Sequence, residues 1–218
     1  MIRPLLATAT LAAAAVLSSC SGIYYGAMKK LGKEKRDILV NRLVSGQKAQ
    51  QEAKEQFKTT LEVFQSVTGF NGGDLEKTYK KLNGTLEDAD DRARKVTEKI
   101  DAIEKVGNDL FKEWGGEIAA MSNASLRNQS QTLLRQTERR HMQHLRTMRI
   151  SEEKMAPVLR AFRDQVVFLK HNLNAKAISS LKQTAAGLGK EVAALVKDLE
   201  ASVKEADTYI ATLSLEAD

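Results

Sequence analysis

The sequence predicts an all-α protein, an elongated antiparallel coiled-coil bundle of about four long helices that follow a cleaved N-terminal leader. Its 218 residues include only two prolines and 5% aromatic residues, and residues with high helix propensity are abundant. Apolar residues recur at alternating spacings of four and three over long stretches, as on one face of a helix. Short clusters of glycine, asparagine and serine separate these stretches and predict turns.

A leader over residues 1–19 is predicted by the charge and hydropathy of the N-terminus. Arg3 precedes an apolar run, residues 5–17, that is too short to cross a bilayer comfortably, as in a secretory signal peptide. The single cysteine, Cys20, follows two serines directly. This order is similar to the site at which bacterial lipoproteins are acylated on sulfur and then cleaved. We therefore expect lipidation of Cys20, the alternative being a signal peptide with an incidental cysteine.

Acyl chains on Cys20 would hold the protein at a membrane surface, because each buried methylene contributes about 0.8 kcal/mol. By analogy with enterobacterial sorting, Ser21 in place of aspartate favours the outer membrane, with the chain facing the periplasm, over the inner membrane. Residues 20–26 then form the acylated cysteine and a short spacer. Five basic residues follow: Lys29, Lys30, Lys33, Lys35 and Arg36. They are expected either to contact anionic headgroups or to form a solvated helix start.

Residues 27–218 are predicted to form one elongated bundle, because each helical stretch carries a single apolar stripe that must face another. The first helix runs from about residue 27 to residue 68, and the sequence Gly-Phe-Asn-Gly-Gly at 69–73 then predicts a turn. Asp74 is the predicted N-cap of the second helix. The seam of the first helix consists of Leu39, Leu43, Gly46, Gln50, Ala53, Phe57, Phe64 and Val67.

The second helix shows the longest four-three repeat in the chain, which predicts a coiled-coil seam. The pair Gly115-Gly116 is expected to loosen its end, and residues 122–125 supply capping side chains for the third helix. The predicted seam consists of Leu75, Tyr79, Leu82, Leu86, Ala89, Ala93, Val96, Ile100, Ile103, Gly107, Leu110 and Trp114.

The third helix is predicted to run to about residue 173, with a kink at Pro157 because proline removes a backbone hydrogen bond. Around Asn172 and Asn174 the apolar pattern slips by about one residue, which predicts either a tight reversal or a stutter in a continuous helix. The third seam includes His141, Leu145, Met148, Glu152, Met155, Leu159, Phe162, Val166, Leu169 and Leu173. The fourth includes Ile178, Leu181, Ala185, Leu188, Val192, Leu195, Leu199, Ser202, Ala206, Tyr209 and Leu213.

Three histidines raise the question of a metal site. Glu138 and His141 match the Glu-x-x-His spacing of di-iron bundles. Such sites need a second pair of this kind and two further inward-facing glutamates, whereas His171 follows Phe168 at that spacing. The motifs of phosphate loops and nucleophile elbows do not occur either. We therefore expect no metal, no other cofactor and no catalytic residue, with a metal-binding bundle as the remote alternative.

A run of basic residues on the third helix predicts an electrostatic interaction surface. Titration of its histidines near neutral pH could modulate the contacts of this surface. The alternative is an ordinary solvated helix face. The net charge of +6 is mild and interleaved stacking aromatics are missing, so nucleic acid is not an expected partner. The candidate surface residues are Arg135, Arg139, Arg140, His141, His144 and His171.

Several blocks of the chain resemble a family of uncharacterised bacterial coiled-coil lipoproteins, a domain-of-unknown-function family. The resemblance covers nearly the whole mature chain, and it implies export and a helical rod. It brings no activity, ligand or catalytic residue that could be carried over. The similar blocks are IYYGAM at 23–28, KLGKEKRDILV at 30–40, Phe57, GGDL at 72–75, YKKLN at 79–83, SNASL at 122–126, FRDQV at 162–166 and FLKHNLNA at 168–175.

The function expected from these observations is that of a non-enzymatic lipoprotein of the cell envelope, acting as a helical spacer, scaffold or docking rod. The expected partners are the membrane, through the N-terminal lipid anchor, and another envelope protein, and a homo-oligomer is compatible with the same pattern. The main alternative is a peripheral lipid-binding or membrane-shaping helical protein.

Overall fold

The computed structural model describes residues 35–69, 74–172 and 174–215. The predicted leader, Cys20 and the lysines at 29, 30 and 33 lie outside these residues. The described residues fold into α-helices with no strand among them. The helices are α1 (Lys35–Thr68), α2 (Leu75–Ala120), α3 (Ala124–Glu153), α4 (Met155–His171) and α5 (Ala175–Leu215).

The helices form an antiparallel four-column bundle in which α3 and α4 together make one column. α1 packs against α2 and α5, and α3 and α4 pack against the same two helices from the other side. Gly46 of α1 lies close to the opposite column, because a Cβ atom there would be 3.1 Å from Met148 Cε. The predicted all-α bundle is therefore confirmed. None of the helices among the described residues is both long enough and apolar enough to cross a membrane.

Two helix starts follow the capping rules that the sequence predicts. The carboxylate of Asp74 accepts a hydrogen bond from the backbone N–H of Lys77 at 2.9 Å, and the side chain of Asn123 accepts one from Leu126 at 3.1 Å. Each bond satisfies an amide that has no partner within its helix. α2 passes through Gly115-Gly116 as a helix and ends at Ala120, four residues beyond the pair.

Pro157 explains the boundary between α3 and α4. Its ring lacks an N–H and collides with the carbonyl four residues earlier, which belongs to Glu153. α3 ends at that residue, and α4 begins after the single residue Lys154, whose backbone stays in the right-handed helical region. The predicted kink is therefore a brief interruption within one column.

The phase slip near residue 172 is a reversal. α4 ends at His171, with the N–H of Asn172 bonded to the carbonyl of Leu169 at 3.1 Å, and α5 starts at Ala175. The hydroxyl of Thr184 then donates to the side-chain oxygen of Gln165 at 3.1 Å, as expected for two antiparallel neighbours. Of the two alternatives left open by the sequence, the tight turn is the correct one.

The core lies along the four predicted seams. Every predicted seam residue of α1 is buried, and so is every one of α5 except half-buried Ala185. The rings of Phe64 and Phe162 meet edge to face at a centroid distance of 5.9 Å across the bundle. Toward the end of α2, however, Phe111 and Ile118 are buried while the predicted Leu110 and Trp114 are only half-buried.

Candidate functional site

The outer face of α3, defined as Arg135, Arg139, Met142, Arg146 and Ile150, carries exposed cationic and apolar side chains together. Their spacings of four, three, four and four place them on one side of the helix, opposite its core residues. Met142 is 56% exposed and Ile150 is 44% exposed. The face is about 22 Å long at 1.5 Å per residue.

The arginines on this face lack acidic partners, unlike Arg92, Arg149 and Arg163. Arg92 contacts Glu52, and Arg163 contacts Asp90 at 2.6 Å. Arg149 lies 2.8 Å from Glu104 and 2.9 Å from Glu152. Within the part of the chain that the structure describes, Arg139 and Arg146 form no ion pair, and Arg135 reaches only the hydroxyl of Thr132 at 3.5 Å. Their charges are therefore directed to solvent.

The structure divides the six residues that the sequence assigned to this surface. Arg135, Arg139 and Arg140 are exposed on α3. His171 is exposed too, but it lies in the last turn of α4 at the other end of the column. Met142 and Ile150 were missed, because single apolar residues on an exposed helix face carry no signal of their own. The sequence alone does not show that His171 lies far from these arginines.

The prediction is wrong for His141 and His144, which belong to the core. His141 is 0% exposed and His144 is 1% exposed. The Nδ1 atom of His141 lies 3.2 Å from the hydroxyl of Tyr209 on α5, and the ring of His144 stacks at a tilt on the same tyrosine at 5.4 Å. We call His141, His144 and Tyr209 the histidine layer. Its position agrees with the seam, which already included His141 and Tyr209.

Three ring nitrogens of the histidine layer lack hydrogen-bond partners in the described structure, namely Nε2 of His141 and both ring nitrogens of His144. The pKa of His141 is lowered to about 4, mainly by burial and to a smaller extent by the neighbouring His144, while Glu104 on α2 acts in the opposite direction. Burial also lowers the pKa of His144, against a raising effect of Glu205 on α5. Both rings are therefore neutral at pH 7, and charging them disfavours the folded bundle.

Gly107 of α2 makes room for the His141 ring. A Cβ atom at this position would lie 2.2 Å from Nε2 and 2.7 Å from Cε1 of that ring. The ring also packs edge to face on Phe111 at a centroid distance of 5.2 Å. Because Gly107 has no side chain, the His141 ring can pack closely against α2.

A second polar layer, the glutamine layer, crosses the core about two turns from the first and consists of Gln50, Ser151 and Ser202. The amide nitrogen of Gln50 donates to Ser151 at 2.9 Å, and its carbonyl oxygen accepts from Ser202 at 3.0 Å. Ser151 in turn donates to the backbone carbonyl of Met148 at 2.8 Å. The layer joins α1, α3 and α5 through hydrogen bonds of fixed geometry, which favours one register of these helices.

Gln50→Leu is expected to lower the free energy of unfolding by about 2 kcal/mol, because the buried hydroxyl of Ser202 loses its acceptor. Adding Ser202→Ala should restore part of the loss by removing the unpaired donor. Urea unfolding measures both effects. Gln51→Leu is the control, since Gln51 is exposed and a surface change alters stability by about 0.5 kcal/mol or less. A loss at Gln50 no larger than that of the control would contradict the layer.

The Glu-x-x-His pair of α3 does not converge on one point, because Glu138 is exposed while His141 is buried. Among the described residues, histidine, cysteine and carboxylate side chains form no cluster of three or more that could hold a metal ion.

A groove of about 520 Å³ lies where α1 begins and α5 ends. Lys35, which the sequence placed in the membrane-proximal basic group, forms an ion pair with Glu113 at 2.9 Å across this groove. Leu133 lines this groove and is 52% exposed. The groove is lined by Leu110, Trp114, Leu133 and Leu213, with Lys35, Arg36, Glu113 and Glu117 among its polar residues.

Comparison with known proteins gives one finding. A sequence model of the family described as "Protein of unknown function (DUF2959)" matches residues 24–213. No curated protein and no solved structure matches the chain significantly. The match confirms the predicted relation to an uncharacterised family, while its bacterial and lipoprotein character stays a prediction.

Proposed function

The chain belongs to the DUF2959 family of proteins of unknown function, and from that premise we propose that it is a non-enzymatic helical rod of the bacterial cell envelope. In this proposal, acylated Cys20 holds the rod at the outer membrane on the periplasmic side, and the outer face of α3 docks an acidic surface of another envelope protein. The family supplies no activity, so the proposal depends on what the described surface is able to bind.

The observation that carries the proposal is the outer face of α3. Its three arginines expose charges that no carboxylate of the described chain neutralises, whereas Arg92, Arg149 and Arg163 are paired. Met142 lies between the second and third of these arginines, and Ile150 lies one turn beyond the third, on the same side of the helix. Arginine combined with isolated apolar side chains is a composition typical of protein interfaces.

A protein partner fits this face better than a lipid bilayer does. Helices that lie in a membrane surface present a broad apolar face with large residues such as tryptophan, phenylalanine and leucine. The outer face of α3 has only one methionine and one isoleucine among its arginines. Acidic side chains on a protein can approach these arginines at fixed positions, whereas headgroup binding needs only charge density.

The test is crosslinking in the native envelope with a charge-reversed variant, Arg135→Glu, Arg139→Glu and Arg146→Glu. The matched control reverses three exposed lysines of α5, Lys176→Glu, Lys182→Glu and Lys190→Glu, and changes the net charge equally. We expect the parent and the control to capture the same protein and the arginine variant to bind it about tenfold more weakly, since exposed pairs contribute up to about 1 kcal/mol each.

Binding of the purified partner should also weaken with added salt, because salt screens exposed charge pairs. Equal capture by the parent and both variants would contradict docking through α3. Flotation of the Cys20-less protein with anionic vesicles, lost only in the arginine variant, would favour the lipid-binding alternative. Cys20→Ala should change the protein's size and release it from envelopes, and no change would contradict the anchor.

A further inference from the structure

The outer face of α3 continues across the break at Lys154 onto α4. Lys154 keeps a right-handed helical backbone, so the two helices stay nearly in phase. Beyond Ile150, the same side of the column carries exposed residues at spacings of three, four, three and four, namely Glu153, Pro157, Arg160 and Asp164. We call these four residues together with the outer face of α3 the outer strip. It is about 44 Å long from Arg135 to Asp164.

The outer strip exposes unpaired carboxylates as well as unpaired arginines. Glu153 and Asp164 form no ion pair within the described part of the chain, and the same holds for Glu138 at the edge of the strip. Beside the strip, in contrast, Arg163 contacts Asp90 at 2.6 Å. Charges of both signs on the outer strip are therefore available to another molecule.

The two signs are arranged symmetrically along the column. Arg135 and Arg146 are eleven residues apart, and so are Glu153 and Asp164. Eleven residues make about three helical turns, so both members of each pair lie on the same side. The midpoint between Arg135 and Asp164 in the sequence is also the midpoint between Arg146 and Glu153. Two columns laid antiparallel about this midpoint therefore bring both arginines opposite carboxylates in one register.

We propose that the outer strip binds the outer strip of a second copy of this chain, in an antiparallel dimer. Its two-fold axis passes between residues 149 and 150. Arg135 then lies level with Asp164 of the second copy, and Arg146 lies level with Glu153 of the second copy. Because the symmetry repeats each contact, the interface contains two pairs of each kind.

The apolar residues of the outer strip fall into place in the same register. Met142 lies level with Pro157 of the second copy, and Ile150 lies at the axis beside its own counterpart. Met142 is 56% exposed and Ile150 is 44% exposed in the single chain, so both have apolar surface to bury. The centre of the interface is thus apolar and the charge pairs flank it, as in interfaces generally.

One contact in this register joins like charges. Arg139 lies level with Arg160 of the second copy, which by itself disfavours the dimer. Glu138 precedes Arg139 directly and is also exposed without an ion pair in the described structure. Its carboxylate provides the opposite charge for Arg160 at almost the same level. The register therefore leaves only Arg139 without a carboxylate at its own level.

The interface is expected to be weak. A contact one helix wide and about 44 Å long covers roughly 450 Å² on each copy, since a helix with its side chains is about 10 Å across. The total of roughly 900 Å² is typical of transient complexes. The consequence for docking rests on the proposed function. Arg135 and Arg146 cannot contact a second copy and another protein at once, so the other protein must separate the two copies.

A charge swap tests the register. Sedimentation equilibrium of the mature chain with Cys20→Ser, up to about 1 mM, measures the dimer. Arg146→Glu and Glu153→Arg should each weaken association about tenfold or more, because each creates two repulsive contacts. The two changes combined should restore association to within about threefold of the parent. Residues 146 and 153 lie about 10 Å apart along one column, so this rescue requires a second copy.

The matched controls make the same charge changes on the exposed side of α5. Lys182→Glu and Glu191→Arg should each associate as the parent does. Protein that stays monomeric at about 1 mM would overturn the proposal. A combined variant that associates no better than the single variants would do the same. Association that continues beyond a dimer would also overturn it, because contact between two different faces does not close.

A disulfide at the axis tests the same register without changing any charge. Ile150→Cys in the Cys20→Ser protein should give a covalent dimer under air oxidation, because the two cysteines lie side by side at the axis. Met142→Cys is the control, since that position is equally accessible but lies about 22 Å from its counterpart in the dimer. Equal yields of covalent dimer from the two variants would overturn the register.

Failure of the dimer and failure of the proposed docking are distinguishable. The measurements of association use this protein alone, so a monomer would leave docking of another envelope protein unaffected. The combined variant Arg146→Glu with Glu153→Arg should dimerise as the parent does and capture the envelope partner more weakly, because docking uses Arg146. Capture equal to that of the parent would contradict the docking function and leave the dimer in place.

Discussion

Acidification from pH 7.5 to pH 4.5 is expected to lower the free energy of unfolding by about 2.5 kcal/mol through His141 alone, given its native pKa of about 4 and an unfolded value of about 6.5. As the pH falls below 6.5, the unfolded chain takes up a proton that the folded chain still excludes. The stability from the neutral ring is therefore complete above about pH 6.5 and is lost progressively down to about pH 4. His144 acts in the same direction, because its pKa is also lowered.

Urea unfolding at pH 7.5, 6.5, 5.5 and 4.5 measures this loss. Leucine has about the volume of histidine without its titration, so the variant His141→Leu with His144→Leu should show a much flatter dependence over this window. His171→Gln is the control and should keep the full dependence, since His171 is exposed at the end of α4. Glu104 and Glu205 oppose the shifts and stay in place in all variants.

A dependence on pH that is equally steep in the double leucine variant would assign the acid sensitivity to carboxylates elsewhere.

The expected effect has a functional consequence if the protein faces the periplasm as proposed. Protonation would loosen the bundle at the level of His141, on the same helix as the outer face of α3. Partner binding through that face would then weaken at low pH together with the stability of the bundle.

Most of the core could be predicted from the sequence, because long four-three repeats leave little choice of which side is buried. Gln50 and Ser202 illustrate this point, since the seams placed two polar residues in the core and the structure joins them by a hydrogen bond. The error at Leu110 and Trp114 is local to the end of α2, where Phe111 and Ile118 are buried instead. The four-three repeat of α5 is nearly as long and stays buried up to Leu213, so the repeat itself does not show where a helix changes the side that it buries.

The candidate site could be predicted only in part, because it depends on contacts between distant residues. The arginine run on α3 is visible in the sequence, but the ion pairs that distinguish Arg149 from Arg146 come from Asp101 and Glu104 on another helix. The histidines raise the same difficulty. Histidines within a basic run are usually expected at the surface. The partner that holds His141 in the core is a tyrosine 68 positions away in the sequence.

Gly107→Ala is expected to lower the free energy of unfolding by about 2 kcal/mol or more, although alanine favours a helix over glycine by about 1 kcal/mol. The new Cβ would lie within 3.0 Å of three atoms of the His141 ring, the nearest at 2.2 Å. The ring has little room to move, because it is bonded to Tyr209 on one side and packed on Phe111 on another. Urea or thermal unfolding measures the change.

Gly84→Ala on the same helix is the matched control, since a Cβ at Gly84 would meet no atom within 4 Å. That variant should be more stable than the parent by up to about 1 kcal/mol, so the two alanine substitutions should have opposite signs. Combining Gly107→Ala with His141→Ala should cost less than the sum of the single changes, because the colliding ring is gone. If Gly107→Ala instead stabilises the protein as Gly84→Ala does, the His141 ring does not pack against α2. The expected acid sensitivity then loses its structural basis, because the low pKa of His141 requires that the ring be enclosed there.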